Sequence, residues 1–382
     1  MSLGSLMRAA LLVGAMVPAA HAAELPNTIA VTAYDVGSNG YNQAIAIGAA
    51  FKNELGKTLR VLPGKNDVSR QIPLREGKVD FSYSGIGAYF SQEAVFVFGR
   101  PDWGPQPIRV MMLNMADTGT VMVSAADANI RHPKDLKGKR VAYVPGAPAL
   151  NMSILAHLRF ADLTFDDVEV VEFGGYAASQ DGLVNDQVDA IYLNTAAAGT
   201  YRLDSSPRGA DYVRLPHDDE EGWKRLLEIL PYYAKRNFTK GVQLSEESPL
   251  ESGGGPYPLL IAYENQDADL VYAMTKAMYD LFPHYKDGSP GTEGWALDRQ
   301  IFEWVAPYHD GAIRYYKEAG VWTPEAQKNN EDMIARQAFL AEIWKEHQEK
   351  GISNPEESEK SWMTFRAEKL AEAGMPIPFE KW

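Results

Sequence analysis

Short apolar runs alternate with amphipathic stretches through the first half of the chain, and their spacing predicts a repeated strand–helix order. Ile29-Ala30-Val31-Thr32-Ala33 reads as a strand. Gly37-Ser38-Asn39-Gly40 follows, then a periodic helix from Tyr41 to Leu55. Leu59-Arg60-Val61-Leu62 is a second strand, Val68 to Glu76 a second helix, and Val79-Asp80-Phe81-Ser82-Tyr83-Ser84 a third strand. This βαβαβ order predicts a parallel sheet with helices on its faces.

The pattern restarts after Asp135. Val141-Ala142-Tyr143-Val144 is a strand, Ala149 to Phe160 a helix, and Val168-Glu169-Val170-Val171 the next strand. Ala177 to Asn185 and Val188 to Leu193 continue as helix and strand. Asp80 and Asp189 fall in the same helix–turn–strand slot of the two halves, where a turn or capping role is favoured over paired acid–base work. Val110 to Met115 with Gly119 to Val123, and later Pro258 to Tyr263, supply apolar strands that cross between the halves. The flexible Ser252-Gly253-Gly254-Gly255-Pro256 precedes the last of them. Two crossings make a hinge. Helices are predicted from Asp267 to Phe282 and from Ala296 to Val305. The charged, helical tail from Thr323 to Trp382 reads as an appended segment packed on the outside, with a partner-contact role as the other reading.

Length and charge narrow the possibilities. A chain of 382 residues with 45% apolar residues buries a core and divides into about two domains. The net charge of −14 speaks against a nucleic-acid partner, because phosphate binding needs a basic field. With no cysteine there is no disulfide framework, thiol nucleophile or Cys-ligated metal. Residues 1–22 read as a secretory signal: Arg8 supplies the positive region, Ala9 to Ala20 the apolar one, and Ala20-His21-Ala22 the cleavage site. The apolar stretch is too short to span a bilayer. The mature protein is therefore expected to be exported to a periplasm-like space, without insertion into the membrane.

The chemistry of catalysis is sparse. No G-x-S-x-G, H-E-x-x-H, P-loop or G-x-G-x-x-G occurs, and no two histidines stand four apart. His217 before Asp218-Asp219-Glu220-Glu221 reads as an acidic helix start rather than a cation site. No cofactor, metal or catalytic residue is assigned. What remains are loops at the carboxyl ends of parallel strands, where open α/β sheets bind ligands. Ser38, Asn39, Gly40 and Tyr41 form the first, with amides at a helix start that suit an anion; a plain turn capped by Ser38 or Asn39 is the alternative. Lys65, Asn66 and Arg70 come from the second loop, Tyr83 and Ser84 from the third. The second half contributes Gly146, Ala149, Asn151, Tyr176, Tyr192, Asn194 and Thr195. Such a set binds a small polar or anionic solute with tyrosine faces over its apolar part.

These stretches resemble the TAXI family of solute-binding proteins from tripartite ATP-independent periplasmic (TRAP) transporters, over roughly residues 27–320. The carriers of the resemblance are Gly37-Ser38-Asn39-Gly40-Tyr41, the run Asp135-Leu136-Lys137-Gly138-Lys139-Arg140-Val141, Pro231-Tyr232-Tyr233 and Val271 to Ala277. The Asp135–Val141 run is common to bilobal binding proteins generally. Gly146-Ala147-Pro148-Ala149 and Lys65-Asn66-Asp67 depart from the family's hydroxyl-rich loops, so the ligand is expected to differ from the usual one. The resemblance implies an α/β fold of the type II periplasmic-binding-protein class: two α/β lobes joined by a strand hinge, here with a C-terminal helical extension. It places lobe 1 at residues 23–122 and 256–320, lobe 2 at 123–255, and the extension at 321–382. It implies capture of a small organic acid or amino acid and delivery to membrane permease subunits. A binding protein of an ATP-driven importer, an orphan sensor domain and an exported enzyme are the competing readings.

Overall fold

The computed structural model describes residues 24–380; the secretory segment read at 1–22 lies outside them. Twelve strands fall among these residues. Thr28–Ala33 (β1), Thr58–Pro63 (β2), Phe81–Ser84 (β3), Ile108–Leu113 (β4) and Leu259–Tyr263 (β12) form one sheet in the order β2-β1-β3-β12-β4. Thr120–Ala125 (β5), Arg140–Tyr143 (β6), Glu169–Glu172 (β7), Ala190–Asn194 (β8) and Ala210–Tyr212 (β9) form a second, in the order β7-β6-β8-β5-β9. Ala234–Phe238 (β10) and Leu250–Gly254 (β11) make a separate antiparallel ribbon.

The two sheets share one plan. The first three strands of each half run parallel, in the order second, first, third. A strand that has crossed from the other lobe then pairs antiparallel beside the third: β12 beside β3, and β5 beside β8. Even the strand starts correspond. The Asp80 carboxylate accepts from Ala30 N at 2.9 Å, and Asp189 accepts from Arg140 N at 2.9 Å, so each aspartate ties the approach to the third strand back to the first. The chain crosses at residues 114–119 and 255–258, which leaves two lobes joined by two short segments. This is the α/β architecture of the type II periplasmic binding proteins.

β3 and β4 are buried along their whole length, as expected for strands covered on both faces. Ala296 to Val305 departs from its predicted helix. Only a single 3₁₀ turn forms, Leu297–Arg299, followed by extended chain. Leu297, Ile301, Phe302 and Trp304 pack on the lobe 1 core, so their helix-like spacing reflects burial from a loop.

The tail does form helices, Pro324–Gln348 and Pro355–Glu372. They are fixed to lobe 1 by buried charge. Glu93, wholly enclosed, receives Arg336 Nε and Nη2 at 2.7 Å each and Arg366 Nη1 at 2.8 Å. Removing one member of such a group leaves uncompensated charge in a low-dielectric interior.

Candidate functional site

Where the strand ends of the two sheets face one another, the lobes enclose a cavity of about 100 Å³. Lobe 1 contributes Tyr34 and Asp35 after β1, Gly64 to Asp67 after β2, and Gly85 and Ile86 after β3. Lobe 2 contributes Ala147, Ala149 and Leu150 after β6, Tyr176 after β7, and Tyr192 on β8. Tyr232, Tyr233 and Arg236 close it beside the ribbon, and Tyr257 and Trp304 complete the wall.

Tyrosines dominate this wall, and burial raises their pKa values, so their hydroxyls remain neutral. The Tyr192 and Tyr233 hydroxyls hydrogen-bond to each other. Tyr34 and Tyr257 lie with ring centroids 5.0 Å apart. Tyr34 is seated by two glycines. A Cβ on Gly85 would meet Tyr34 Oη at 2.3 Å, and one on Gly40 would meet the Tyr34 ring at 2.5 Å. The Arg70 guanidinium lies 4.1 Å from the centre of the Tyr34 ring and pairs with the Asp67 carboxylate, in a site with almost no solvent.

The lobes meet through hydrogen bonds at the cavity rim. Lobe 2 presents the starts of two helices, Pro148–Phe160 and Tyr176–Val184, whose N-cap residues Ala147 and Gly175 offer no capping side chain. Lobe 1 caps both. Asp67 Oδ2 accepts from Ala149 N at 2.9 Å, and Asp35 Oδ2 accepts from Ala177 N at 3.1 Å. A carboxylate at a helix start satisfies orphan amides and complements the macrodipole. Backbone bonds add to this: Tyr176 N donates to Lys65 O at 3.2 Å, Val68 N to Gly146 O at 3.3 Å and Ala198 N to Gly37 O at 3.3 Å. Asn66 Nδ2 donates to Pro145 O at 3.1 Å. The lobes are therefore closed upon each other.

Of the residues singled out from sequence, Lys65, Asn66, Arg70, Ala149, Tyr176 and Tyr192 come together in the cavity wall. The others lie outside it. Ser38 caps its own helix, accepting from Tyr41 N at 3.1 Å, which uses the amides expected to meet an anion. Asn39 donates to Pro290 O and accepts from Gln43. Gly40 backs Tyr34, and Tyr41 packs on the lobe 1 core. Strand alternation turns Tyr83 into that core, where its hydroxyl reaches Met278 Sδ and its ring meets the Trp295 edge. Ser84 is enclosed on β3. Gly146 turns at φ +72 beside Asn66. Asn151 bonds Val144 N and O, at 3.0 and 2.9 Å. Asn194 accepts from Ala196 N, and Thr195 bonds Lys240 O and Gly119 N. Apart from the Ser84 hydroxyl, which is buried without a partner among the described residues, the side-chain polar groups named with a bond are occupied within the protein.

Sequence reasoning missed Tyr34, Asp35, Asp67, Tyr232, Arg236, Tyr257 and Trp304 as wall residues. One signal was present: Ala147 and Gly175 stand where a helix start normally carries Ser, Thr, Asp or Asn, so a cap had to come from elsewhere.

Comparison with known proteins places the chain. The NMT1-like family profile matches residues 97–320, more than half of the sequence. The chain belongs to the NMT1-like family. The C-terminal helices lie beyond the matched stretch of this NMT1-like chain. Among solved structures it is similar to the alkanesulfonate-binding protein SsuA from Xanthomonas axonopodis pv. citri bound to MOPS, at 13% identity and a TM-score of 0.44, covering 93% of this chain and 96% of that one. It is similar to the periplasmic aliphatic sulphonate binding protein SsuA from Escherichia coli, at 14% identity and a TM-score of 0.42, with coverage of 93% and 96%. It is also similar to an ancestral arginine-binding protein bound to glutamine, at 18% identity and a TM-score of 0.43, covering 71% of this chain and 99% of that one. Among the described residues no helix is long and apolar enough to cross a membrane, and no group of three His, Asp or Glu stands ready to hold a metal.

Proposed function

We propose that this protein is an exported, non-enzymatic receptor that encloses a small carboxylate-containing solute between its lobes and hands it to a TRAP-type permease. The observation that carries the reading is the cavity itself. Its walls come from strand ends of both sheets, and arginines stand among neutral tyrosine hydroxyls. Charge-assisted hydrogen bonds suit a carboxylate, and aromatic faces suit the rest of a small organic molecule. A solute in contact with both lobes favours the closed arrangement, because only differential affinity shifts such an equilibrium. Lys65, Asn66, Arg70, Ala149, Tyr176 and Tyr192, which line the cavity, are the sequence-derived residues to which we assign contact with it. The TRAP assignment is supported by the sequence resemblance carried by Pro231-Tyr232-Tyr233 and Val271 to Ala277.

Thermal unfolding of the mature protein against carboxylates, amino acids and aromatic acids tests the solute class. A ligand at a hundred times its Kd adds about 2.7 kcal/mol of stability. Absence of a shift with every acid removes the carboxylate reading. Uptake of a positive hit into vesicles carrying the permease tests the partner: transport is expected with an ion gradient and no ATP, and a strict ATP requirement assigns the protein to the other importer class.

A further inference from the structure

Inside a closed cavity, the net charge of the wall selects the charge of the occupant, because an unpaired ion there is poorly solvated. Arg70 is already matched. Its guanidinium and the Asp67 carboxylate pair with side-chain exposures of 3% and 6%. The two lobe 2 helix starts are already supplied with carboxylates, Asp67 and Asp35. At the rim, the exposed Lys65 and the Asp35 carboxylate lie beside Gly175.

Arg236 is different. It enters the cavity from β10 and carries no ion pair among the described residues. Its Nη2 donates to Ala116 O at 2.7 Å, and its guanidinium lies 5.1 Å from the Phe238 ring centre. The carboxylate whose charge acts on it, Asp117, is engaged elsewhere. Both Asp117 oxygens accept from Arg299, at 2.9 and 3.2 Å, and Lys240 bridges Asp117 and Glu293 at 3.5 and 3.1 Å. Arg299 and Lys240 thus already hold Asp117 and Glu293, and Arg236 is left without an ion pair of its own among the described residues.

The same wall holds polar atoms that are enclosed and have no partner among the described residues: Tyr34 Oη, Tyr232 Oη and Arg70 Nε. Buried polar groups without partners are costly, and here they cluster in one cavity. All three are donors suited to oxyanion lone pairs.

We infer that the solute is a monocarboxylate with one net negative charge, anchored at Arg236. The inference rests on the solute-receptor reading and narrows it. A neutral amide leaves Arg236 unpaired in the closed protein. A dicarboxylate brings a second charge to a wall whose other buried cation, Arg70, is already held by Asp67.

Two matched probe sets decide the matter by isothermal titration of the mature protein: benzoate, benzamide and terephthalate, and beside them butyrate, butyramide and succinate. The monocarboxylate of at least one set is expected to bind at least tenfold more tightly than its amide and its diacid. Arg236→Gln is expected to weaken that binding about 10- to 100-fold, the scale of a lost charge-assisted bond, and to erase the preference for acid over amide. The free variant should melt no lower than the wild type, because Arg236 gives the fold only one bond to a neutral carbonyl. An amide or diacid that binds as well as the monocarboxylate overturns the inference, as does an Arg236→Gln protein that keeps the preference. Failure of all six probes and of the wider acid panel overturns the solute-receptor reading itself, and the inference with it.

Discussion

Asp67→Asn is the substitution with the most structural consequence at this site. The wild-type carboxylate does two things at once: it neutralises Arg70 within lobe 1 and it accepts from Ala149 N of lobe 2 at 2.9 Å. Asparagine preserves shape and one acceptor oxygen; with that oxygen on Ala149 N, its amide nitrogen faces the Arg70 guanidinium, donor against donor. Across the lobes, a charge-assisted bond of about 1.5–3 kcal/mol becomes a neutral one of about 0.5–1.5. The closed arrangement therefore loses about 1 kcal/mol, a roughly fivefold shift toward open. Within lobe 1, Arg70 keeps its place over Tyr34 without a counterion. Breaking a buried pair costs about 3–5 kcal/mol, with about 3 as the lower bound. At about 2.1 cal/mol/K of unfolding entropy per residue, a 382-residue chain loses about 4 °C of melting temperature for 3 kcal/mol. Calorimetry reads the melting temperature, and energy transfer between dyes on the two lobes reads the open fraction in the absence of solute. An unchanged inter-lobe distance together with an unchanged melting temperature refutes the capping argument.

Other outcomes follow from the same geometry. Gly85→Ala drives a Cβ into the Tyr34 hydroxyl and is expected to weaken solute binding at least tenfold by titration, with about 1–3 kcal/mol of overpacking in urea unfolding. Tyr41→Ala is expected to leave affinity unchanged, because Tyr41 packs on the lobe 1 core outside the cavity; a large loss would return the first loop to the site. His157 is enclosed on the Pro148–Phe160 helix, and burial lowers its pKa to about 4. The unfolded chain therefore binds this proton first as pH falls, so stability present above pH about 6.5 declines between about 6.5 and 4. His157→Gln should flatten that part of the stability–pH curve. Glu93→Gln strips the shared counterion from Arg336 and Arg366, and should lower stability by about 3–5 kcal/mol in denaturant titration.

The fold was legible where one physical constraint acted alone. Strands such as Val121-Met122-Val123 and Leu259-Leu260-Ile261 are apolar because both faces are covered, and nothing else produces so short and continuous a run. The restart after Asp135 exposed the second lobe because the same strand–helix grammar recurred. Reading failed where two constraints coincided. Between Ala296 and Val305, apolar residues recur at three- and four-residue spacing because a loop packs Leu297, Ile301 and Trp304 inward, and period alone cannot separate that from a helix. The ribbon strand Ala234–Phe238 is mostly exposed and charged, so it carried no strand signal, and Arg236 went unnoticed with it. The first loop looked like an anion site because its composition suits one, but Ser38 used those amides locally. Which of two competing partners satisfies a helix start depends on the facing lobe, and that is a matter of tertiary placement.

The C-terminal helices alter the mechanics of opening. Besides Arg336 and Arg366 on Glu93, Gln337 bonds Gln92 and Ile108 O, Asn330 accepts from Tyr308 N, and Asn329 holds Trp304 O at 2.9 Å. Among the described residues, every hydrogen bond these helices make outside the tail goes to lobe 1 or to the segment just before them. The tail meets lobe 2 through an apolar cluster containing Met363 and Phe379, and the Glu359 charge acts on Tyr143. Lobe 1 and the tail are thus bound together as one unit, so an opening between the lobes would carry the tail with lobe 1, and Asn329 ties the cavity-wall residue Trp304 into that unit.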